Sequence, residues 1–328
     1  MTLTDPTPAT RSPSAPAAWR WSLIIPTYRR PDVLADCLER IAGLDYPTER
    51  CEVRVYDNGS PDESRAVVES FMGRIPNLTY TLNDPGHGLG YSLTRGAAEC
   101  TGQRIVEMND DALVEPDFLT KLDAVFDSDA KIGVVGVRAL EANYARQEGG
   151  IGEINPRTGE VVGNFDRPTD DVMDVEHVYG FCYAYTRELV DKGGRHDSIL
   201  LARDDSSGNR IETDQCLTAK RLGFRVVYDG RHAVTHLAKP RGDMNERSLK
   251  WKLQHTRNTL YLYLKHFGWT GKRAIAFRFC FLHDVGLFSM LKRPDKANRD
   301  YFWTGLKGRC AAVGNWLRWK LSPAPEFG

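Results

Sequence analysis

The stretch "WSLIIPTYRRPDVLADCLERIAGL", Trp21 to Leu44, changes its periodicity halfway along. It opens as an apolar run with two adjacent isoleucines and a closing proline, the pattern of a short buried strand. Beyond Arg30, the apolar residues Val33, Leu34, Cys37, Leu38 and Ile41 fall at helical spacing. The unit then recurs. "CEVRVYD" (51–57), "LTYTL" (78–82), "RIVEM" (104–108) and "KIGVVGVRAL" (131–140) read as strands. "SPDESRAVVESFMGRI", "GYSLTRGAAECTG" and "PDFLTKLDAVFDS" read as the helices between them, the first with Ser60 as N-cap and Pro61 at its first position. Such alternation specifies an α/β layer fold with a mostly parallel sheet flanked by helices. After Leu140 the pattern predicts a hairpin (149–165), a strand entering a helix (174–189), and a helix stopped by Gly223 before a further strand (212–229). The predicted organisation is a disordered tail over 1–18, an α/β body over 19–240 and a basic, aromatic-rich helical extension over 241–328.

Hydrophobic content of 41% and charged content of 27% are those of an ordinary globular chain. The zero net charge hides an asymmetry. Lys239 to Lys320 holds eighteen Lys and Arg against five Asp and Glu, whereas Met1 to Ala238 holds twenty-six against thirty-eight. An acidic body with a basic tail suggests two regions with different partners. The seven cysteines are scattered, with no CxxC or zinc-like spacing, which points to a reducing compartment and no disulfide framework. The Pro-, Ala-, Ser- and Thr-rich start lacks the apolar core of a signal peptide, and no apolar run is long enough for a spanning helix. A cytoplasmic location is expected.

In open α/β sheets, ligands sit outside the carboxyl ends of the strands. The first predicted strand ends in Thr27, Arg29 and Arg30, the second in Asp57-Asn58-Gly59-Ser60, and the fourth in Asn109-Asp110-Asp111. Alone, each is more often a turn or a cap than a site; on one rim they form a constellation. Arginines at a helix start oppose the helix dipole, so Arg29 and Arg30 hint at an anion nearby. Glu107, Asp110, Asp111, Glu115 and Asp117 crowd five acids into eleven residues. Hard carboxylate oxygens of this kind suit Mg²⁺ or Mn²⁺ held by few protein ligands plus substrate phosphates. On this reading no side-chain cation neutralises the aspartates; a divalent ion does. Gly86, Gly88 and Gly90 are a weak dinucleotide signal and read better as a loop passing close to a ligand. Glu212 and Asp214 open a helix after a Gly/Ser-rich loop, either as capping acids or as a substrate-responsive base. His236, closing an apolar run, reads as a packing residue unless a metal lies beside it.

Taken together and in order, these segments resemble the family 2 glycosyltransferases, which have the GT-A fold, over about Trp21 to His236. "SLIIPTYRRPDVLADCLERI" looks like that family's opening strand and helix. "VYDNGSPDES" resembles its nucleotide-contacting segment and "RIVEMNDDALVEPDFL" its metal-binding DxD region. "YGFCYAYTRELVDKGGRHD" is similar to its acceptor-side segment, and "ETDQCLTAKRLGFRVVYDGRHAVTH" to the segment with the catalytic carboxylate and a trailing metal-ligand histidine. "QHTRNTLYLYLKHFG" is similar to a helix of rhamnosyl- and galactofuranosyl-transferase-like members. The resemblance implies that Thr27 and Arg29 line the nucleotide pocket and that Asp57 hydrogen-bonds the base. Asp111, with Asp110, would hold the divalent ion on the donor diphosphate, and His236 would complete the metal sphere. Asn109 replaces the first acid of the motif, beside the donor. The usual Glu-Asp-x-Asp reads Ile211-Glu212-Thr213-Asp214 here, so the base is Glu212 with a longer reach, or Asp214.

The implied activity is inverting, metal-dependent transfer of a sugar from a UDP-, dTDP- or GDP-linked donor to a saccharide, lipid-linked or small-molecule acceptor. The alternatives are a nucleotidyltransferase-like enzyme and a non-catalytic nucleotide-sugar-binding protein. From Trp251 to Trp319, fourteen aromatic residues stand among the basic ones. Most read as packing of a helical extension on the body. Peripheral contact with the inner face of an anionic membrane is the second reading, and a homodimer surface the third. No nucleic-acid module is recognisable. Arg257 reads as a donor-phosphate contact or a surface charge.

Overall fold

The computed structural model describes residues 19–85, 87–141, 146–155, 159–200, 209–237, 244–268 and 286–321, with side chains from 249 onward in the segment that begins at 244. The predicted tail at 1–18, Gly86 and the hairpin turn at 156–158 lie outside these residues.

Strand β1 (Trp21–Thr27) is buried along its whole length. Trp21, Leu23 and Ile25 face one core, and Ile24 faces the other, as the two-residue period of a strand requires. Burial on both faces is why the stretch reads as a continuous apolar run. β1 pairs in parallel with β2 (Cys51–Asp57) and β4 (Arg104–Met108), and β3 (Leu78–Leu82) extends the sheet beyond β2 in the same sense. On the far side of β4, the antiparallel β10 (Cys182–Thr186) separates it from β6 (Ile132–Leu140). Next come β11 (Arg225–His236), parallel to β6, and the two-residue edge strand β5 (Ala112–Leu113). β9 (Met173–Asp174) pairs with another part of β11, and β7 (Glu153–Ile154) with β8 (Val161–Val162) forms the expected hairpin. β1 to β4, β6 and β11 share one direction, so the sheet is mixed and mostly parallel.

Helices α1 (Pro31–Ala42), α2 (Ser64–Phe71) and α4 (Phe118–Ser128) cover one face through Leu34, Val68 and Leu119. The other face carries α3 (Leu89–Glu99), α5 (Arg187–Asp191) and α6 (Ile211–Arg221) through Leu93, Leu189 and Cys216. One start was misplaced by sequence: α2 begins at Ser64, and Ser60 is not its cap. The Asp57 carboxylate takes the Ser60 N–H at 2.8 Å, and the Ser60 hydroxyl accepts the Arg29 N–H at 2.8 Å. Side-chain bonds of this kind hold the backbone in a turn before it can coil.

Among the described residues, the extension contains α7 (Met244–His266), α8 (Leu287–Lys292) and α9 (Lys296–Leu321). Leu260, Tyr261 and Leu264 of α7 and Ala312 of α9 share a cluster with Ile211 of α6. Among the described aromatics, Tyr261, Tyr263, Phe267, Trp316 and Trp319 join packed clusters, whereas Trp251, Phe288 and Trp303 are exposed. Among the described residues, no helix is long and apolar enough to cross a membrane, and the six described cysteines are free thiols.

Helix α3 approaches the sheet closely at Gly96, where an added Cβ would lie 2.6 Å from Ile24 Cγ2. Gly96→Val is expected to destabilise the fold by about 1–3 kcal/mol, the usual cost of overpacking. A urea melt checks it; an unchanged midpoint would refute this packing of α3 on β1.

Candidate active site

Asp110 and Asp111, at the end of β4, are both buried. The Thr27 hydroxyl donates to Asp110 Oδ2 at 2.7 Å. Arg30, the residue preceding α1, donates to Asp111 Oδ2 at 2.7 Å and pairs with Asp110 Oδ1. The expectation that no side-chain cation meets these aspartates is therefore overturned. Pro31 opens α1 and sets Arg30 over the strand ends, where two carboxylates more than offset the dipole's repulsion of a cation. The five-acid cluster also disperses. Glu107 points to the opposite core, accepting from Tyr183 at 2.7 Å and Tyr185 at 2.6 Å, with His196 Nε2 2.7 Å away. Glu115 and Asp117 are exposed.

The other oxygen of Asp111, Oδ1, is buried without a hydrogen bond and lies 3.5 Å from His236 Nε2. These residues are brought together by backbone pairing: Ala112 of β5 faces His236 of β11, and the Leu237 N–H donates to the Asp111 carbonyl at 2.9 Å. His236 Nδ1 lies 2.9 Å from Glu141 Oε2, which also accepts from the Tyr179 hydroxyl at 3.3 Å. Burial opposes ionisation of Asp111, but His236 and Arg30 outweigh it and hold the carboxyl down to about 2. Burial also works against His236⁺, and Asp111 and Glu141 overcome it, raising that imidazole's pKa. Sequence reasoning missed Glu141 and Tyr179. Glu141 directly follows β6, so the strand-end rule that found the aspartates would have found it too.

At the second strand end, buried Asp57 accepts from Ser60 N–H and from the Tyr80 hydroxyl, each at 2.8 Å. Each oxygen retains a lone pair for a further donor. Gly59 turns the chain here with φ 84°, and Arg29 adopts the left-handed region with φ 55°. Arg29 is exposed and stacks its guanidinium 4.9 Å over the Tyr28 ring.

A cleft of about 390 Å³ adjoins this rim, and Asn109, Glu212 and His236 line it. The Asn109 N–H is fixed to the Phe181 carbonyl at 2.7 Å. Glu212 projects from the first turn of α6 beside Gly180, where an added Cβ would stand 3.1 Å from the carboxyl carbon. Burial raises the Glu212 pKa above the ordinary carboxylate range, and among the described residues no ion pair holds it. Asp214 is placed differently. It is buried outside the cleft lining, 2.8 Å from Lys265 Nζ and 2.7 Å from His266 Nε2, both on α7. Burial disfavours its charge, yet Lys265 and His266 lower its pKa. Lys265 and the Tyr261 hydroxyl also meet Asp197, each at 2.7 Å. Arg257 lies away from the cleft lining and donates to Asn258 Oδ1 at 2.9 Å. The structure thus brings together Thr27, Asp110, Asp111, Asn109, His236 and Glu212, and leaves Asp214 and Arg257 apart.

The family model described as "Glycosyl transferase family 2" matches residues 22–194. The glucosyl-dolichyl phosphate glucuronosyltransferase of Haloferax volcanii is 26% identical over 220 residues, 66% of this chain and 68% of that one. Residues 1–349 of Staphylococcus aureus TarS, solved with UDP-GlcNAc, superpose with a TM-score of 0.60 at 15% identity, covering 92% of this chain and 91% of that one. The mannosyltransferase PcManGT of Pyrobaculum calidifontis, solved with GDP-Man and Mn²⁺, gives a TM-score of 0.55 at 18% identity, covering 90% and 86%. The GT-A fold expected from sequence is the fold of these structures.

Asp214→Asn leaves Lys265 with one carboxylate in a buried setting, and a loss of about 3–5 kcal/mol is expected. Because the native Asp214 pKa lies below its ordinary 3.8, its stabilisation is complete above that pH and is lost on acidification below it. Denaturant melts of both proteins at neutral and acid pH read this; equal stabilities at neutral pH would refute the tie.

Proposed function

The chain belongs to glycosyl transferase family 2, and we propose that it moves a sugar from a nucleotide-diphosphate donor to an acceptor hydroxyl with inversion. It is a glycosyltransferase by family; the inversion, the metal and the residue roles are our reading. One observation carries that reading: buried Asp111 Oδ1, without a hydrogen bond, stands 3.5 Å from His236 Nε2 at the edge of the cleft that holds Glu212.

That corner fits Mn²⁺ or Mg²⁺. Asp111 offers a hard oxygen, and His236 a nitrogen whose ring is oriented by Glu141. Among the described residues, no three His, Cys, Asp or Glu side chains are grouped to hold a metal by themselves, so donor phosphates would supply further ligands. When bound, the ion acts as a Lewis acid that offsets charge developing on the leaving diphosphate. Asp110 serves the site through Thr27 and Arg30, since both its oxygens are engaged by them. Thr27, Arg29 and Asp57 receive the nucleoside, and Asn109 borders the transferred sugar.

Glu212 takes the proton from the acceptor hydroxyl as the new bond forms. Its raised pKa brings it closer to the working pH, which strengthens a general base. Asp214 anchors α6 to α7, and Arg257 has no assigned part. The ligands of the solved structures with this fold, GDP-Man with Mn²⁺ and UDP-GlcNAc, support a nucleotide-sugar donor. The likeness of the α7 segment to rhamnosyl- and galactofuranosyl-transferase-like helices supports a hexosyl or deoxyhexosyl unit. The dolichyl-linked substrate named for the Haloferax relative supports a lipid-linked saccharide acceptor, met at the cytoplasmic membrane surface by the basic region 241–328.

A panel of UDP-, dTDP- and GDP-sugars with Mn²⁺ or Mg²⁺ tests the reading. Released nucleoside diphosphate is expected; released pyrophosphate would indicate nucleotidyl transfer, and NMR of early product with retained configuration would exclude single displacement. Asp111→Ala is expected to lose metal-dependent donor binding. Glu212→Gln should keep the donor's thermal shift and lower kcat by about 10²–10⁴-fold. The base must be ionised, so kcat/KM should fall on acidification through a pKa above the ordinary 4.5. A fully active Glu212→Gln would remove Glu212 from this role.

A further inference from the structure

We propose that Trp251 and His255 form a stacking subsite for the pyranose ring of the acceptor, in the same cleft as Glu212. The proposal rests on the glycosyl-transfer reading and adds an acceptor class and a place for it. Both residues line the cleft although they belong to α7, in the extension. They are one helical turn apart, and their rings lie parallel, with centroids 4.6 Å apart and 14° between planes. The imidazole backs the indole, whose side chain remains 41% exposed.

The plate is held in place. His255 Nδ1 lies 3.1 Å from the Asn209 amide nitrogen. Asn258 Nδ2, one turn further along α7, donates to the Asn209 carbonyl at 2.8 Å and the Leu200 carbonyl at 3.1 Å. The helix therefore cannot shift without breaking the approach to α6, which carries Glu212.

The surroundings decide the ligand class. Gln147, Asn209 and Arg210 line the same cleft and add polar groups to its wall. A pyranose has an apolar C–H face for the electron-rich indole and a rim of hydroxyls for those polar groups. A hydrocarbon chain would use the indole alone and offer nothing to Arg210 Nε, which is buried without a hydrogen bond. The exposed Leu249 and Leu253 do not join this surface: they stand two residues away from Trp251 and His255, about 200° around the helix axis. The apolar stripe and the cleft platform are separate faces of α7.

Saturation-transfer NMR on the full chain tests this, with methyl pyranosides of glucose, mannose, galactose and rhamnose, with UDP or GDP and Mn²⁺ present. At least one pyranoside is expected to respond most strongly at its ring C–H protons. Trp251→Ala should weaken it about five- to tenfold, the scale of one lost aromatic contact, and Trp251→Phe should restore most of it. Nucleoside diphosphate affinity should be the same in all three proteins. The proposal is overturned if no pyranoside binds the wild type, if Trp251→Ala binds it equally well, or if dodecanol displaces the probe through Trp251. It is also overturned if Trp251→Ala weakens the nucleoside diphosphate, which would make the plate a base platform. If the wild type binds pyranoside through Trp251 but binds neither diphosphate, the donor reading fails and the subsite stands.

Discussion

Two carboxylates buried side by side at a strand end repel each other in a medium that screens poorly, and the rest of this site follows from how that repulsion is met. Arg30 meets it with one guanidinium across Asp110 and Asp111. The arginine is in reach because β1 ends beside β4 and α1 starts at Pro31. Asp110 is then fully engaged, with Thr27 on its second oxygen. Asp111 is only half engaged, and its remaining oxygen is directed to His236. A plain charge balance would have consumed all four oxygens. One was left over, at the edge of the cleft.

The layer order was legible in the sequence because parallel strands buried on both faces have a pattern of their own, as "WSLIIP" and "KIGVVGVRAL" show. Strand ends were legible for the same reason, and they located Thr27, Asp57, Asp110 and Asp111. Contacts between distant segments were not legible. Arg30 was read as a sign of a bound anion, and it is the aspartates themselves that it meets. Glu107 looked like part of an acidic cluster because it is near in sequence, but the two-residue period of β4 turns it to another core, where Tyr183, Tyr185 and His196 enclose it. Glu212 and Asp214 were indistinguishable by spacing. Only the position of α7 separates them, by supplying Lys265 and His266 to one and leaving the other in the cleft.

The charge asymmetry of the chain also needed the structure to be interpreted. A basic excess in the last quarter of the chain reads as a region with partners of its own. Yet Lys265 serves the internal carboxylates Asp197 and Asp214, and Lys252 is buried with its ammonium 4.1 Å over the Tyr301 ring. Part of the excess thus holds the extension together and to the body. The extension becomes a wall of the cleft as well as a neighbour of it, since α7 provides Trp251 and His255.

The β5–β11 pairing has a bearing on how the site holds together. Residues 111 and 236 meet through a two-residue strand at the outer edge of the sheet, although β10 and β6 stand between β4, which Asp111 follows, and β11, which His236 closes. A contact of such long sequence separation carries a large loop-closure cost. Short edge strands are also the first to fray. Parting β5 from β11 would separate the carboxylate from the imidazole while the inner strands stayed paired.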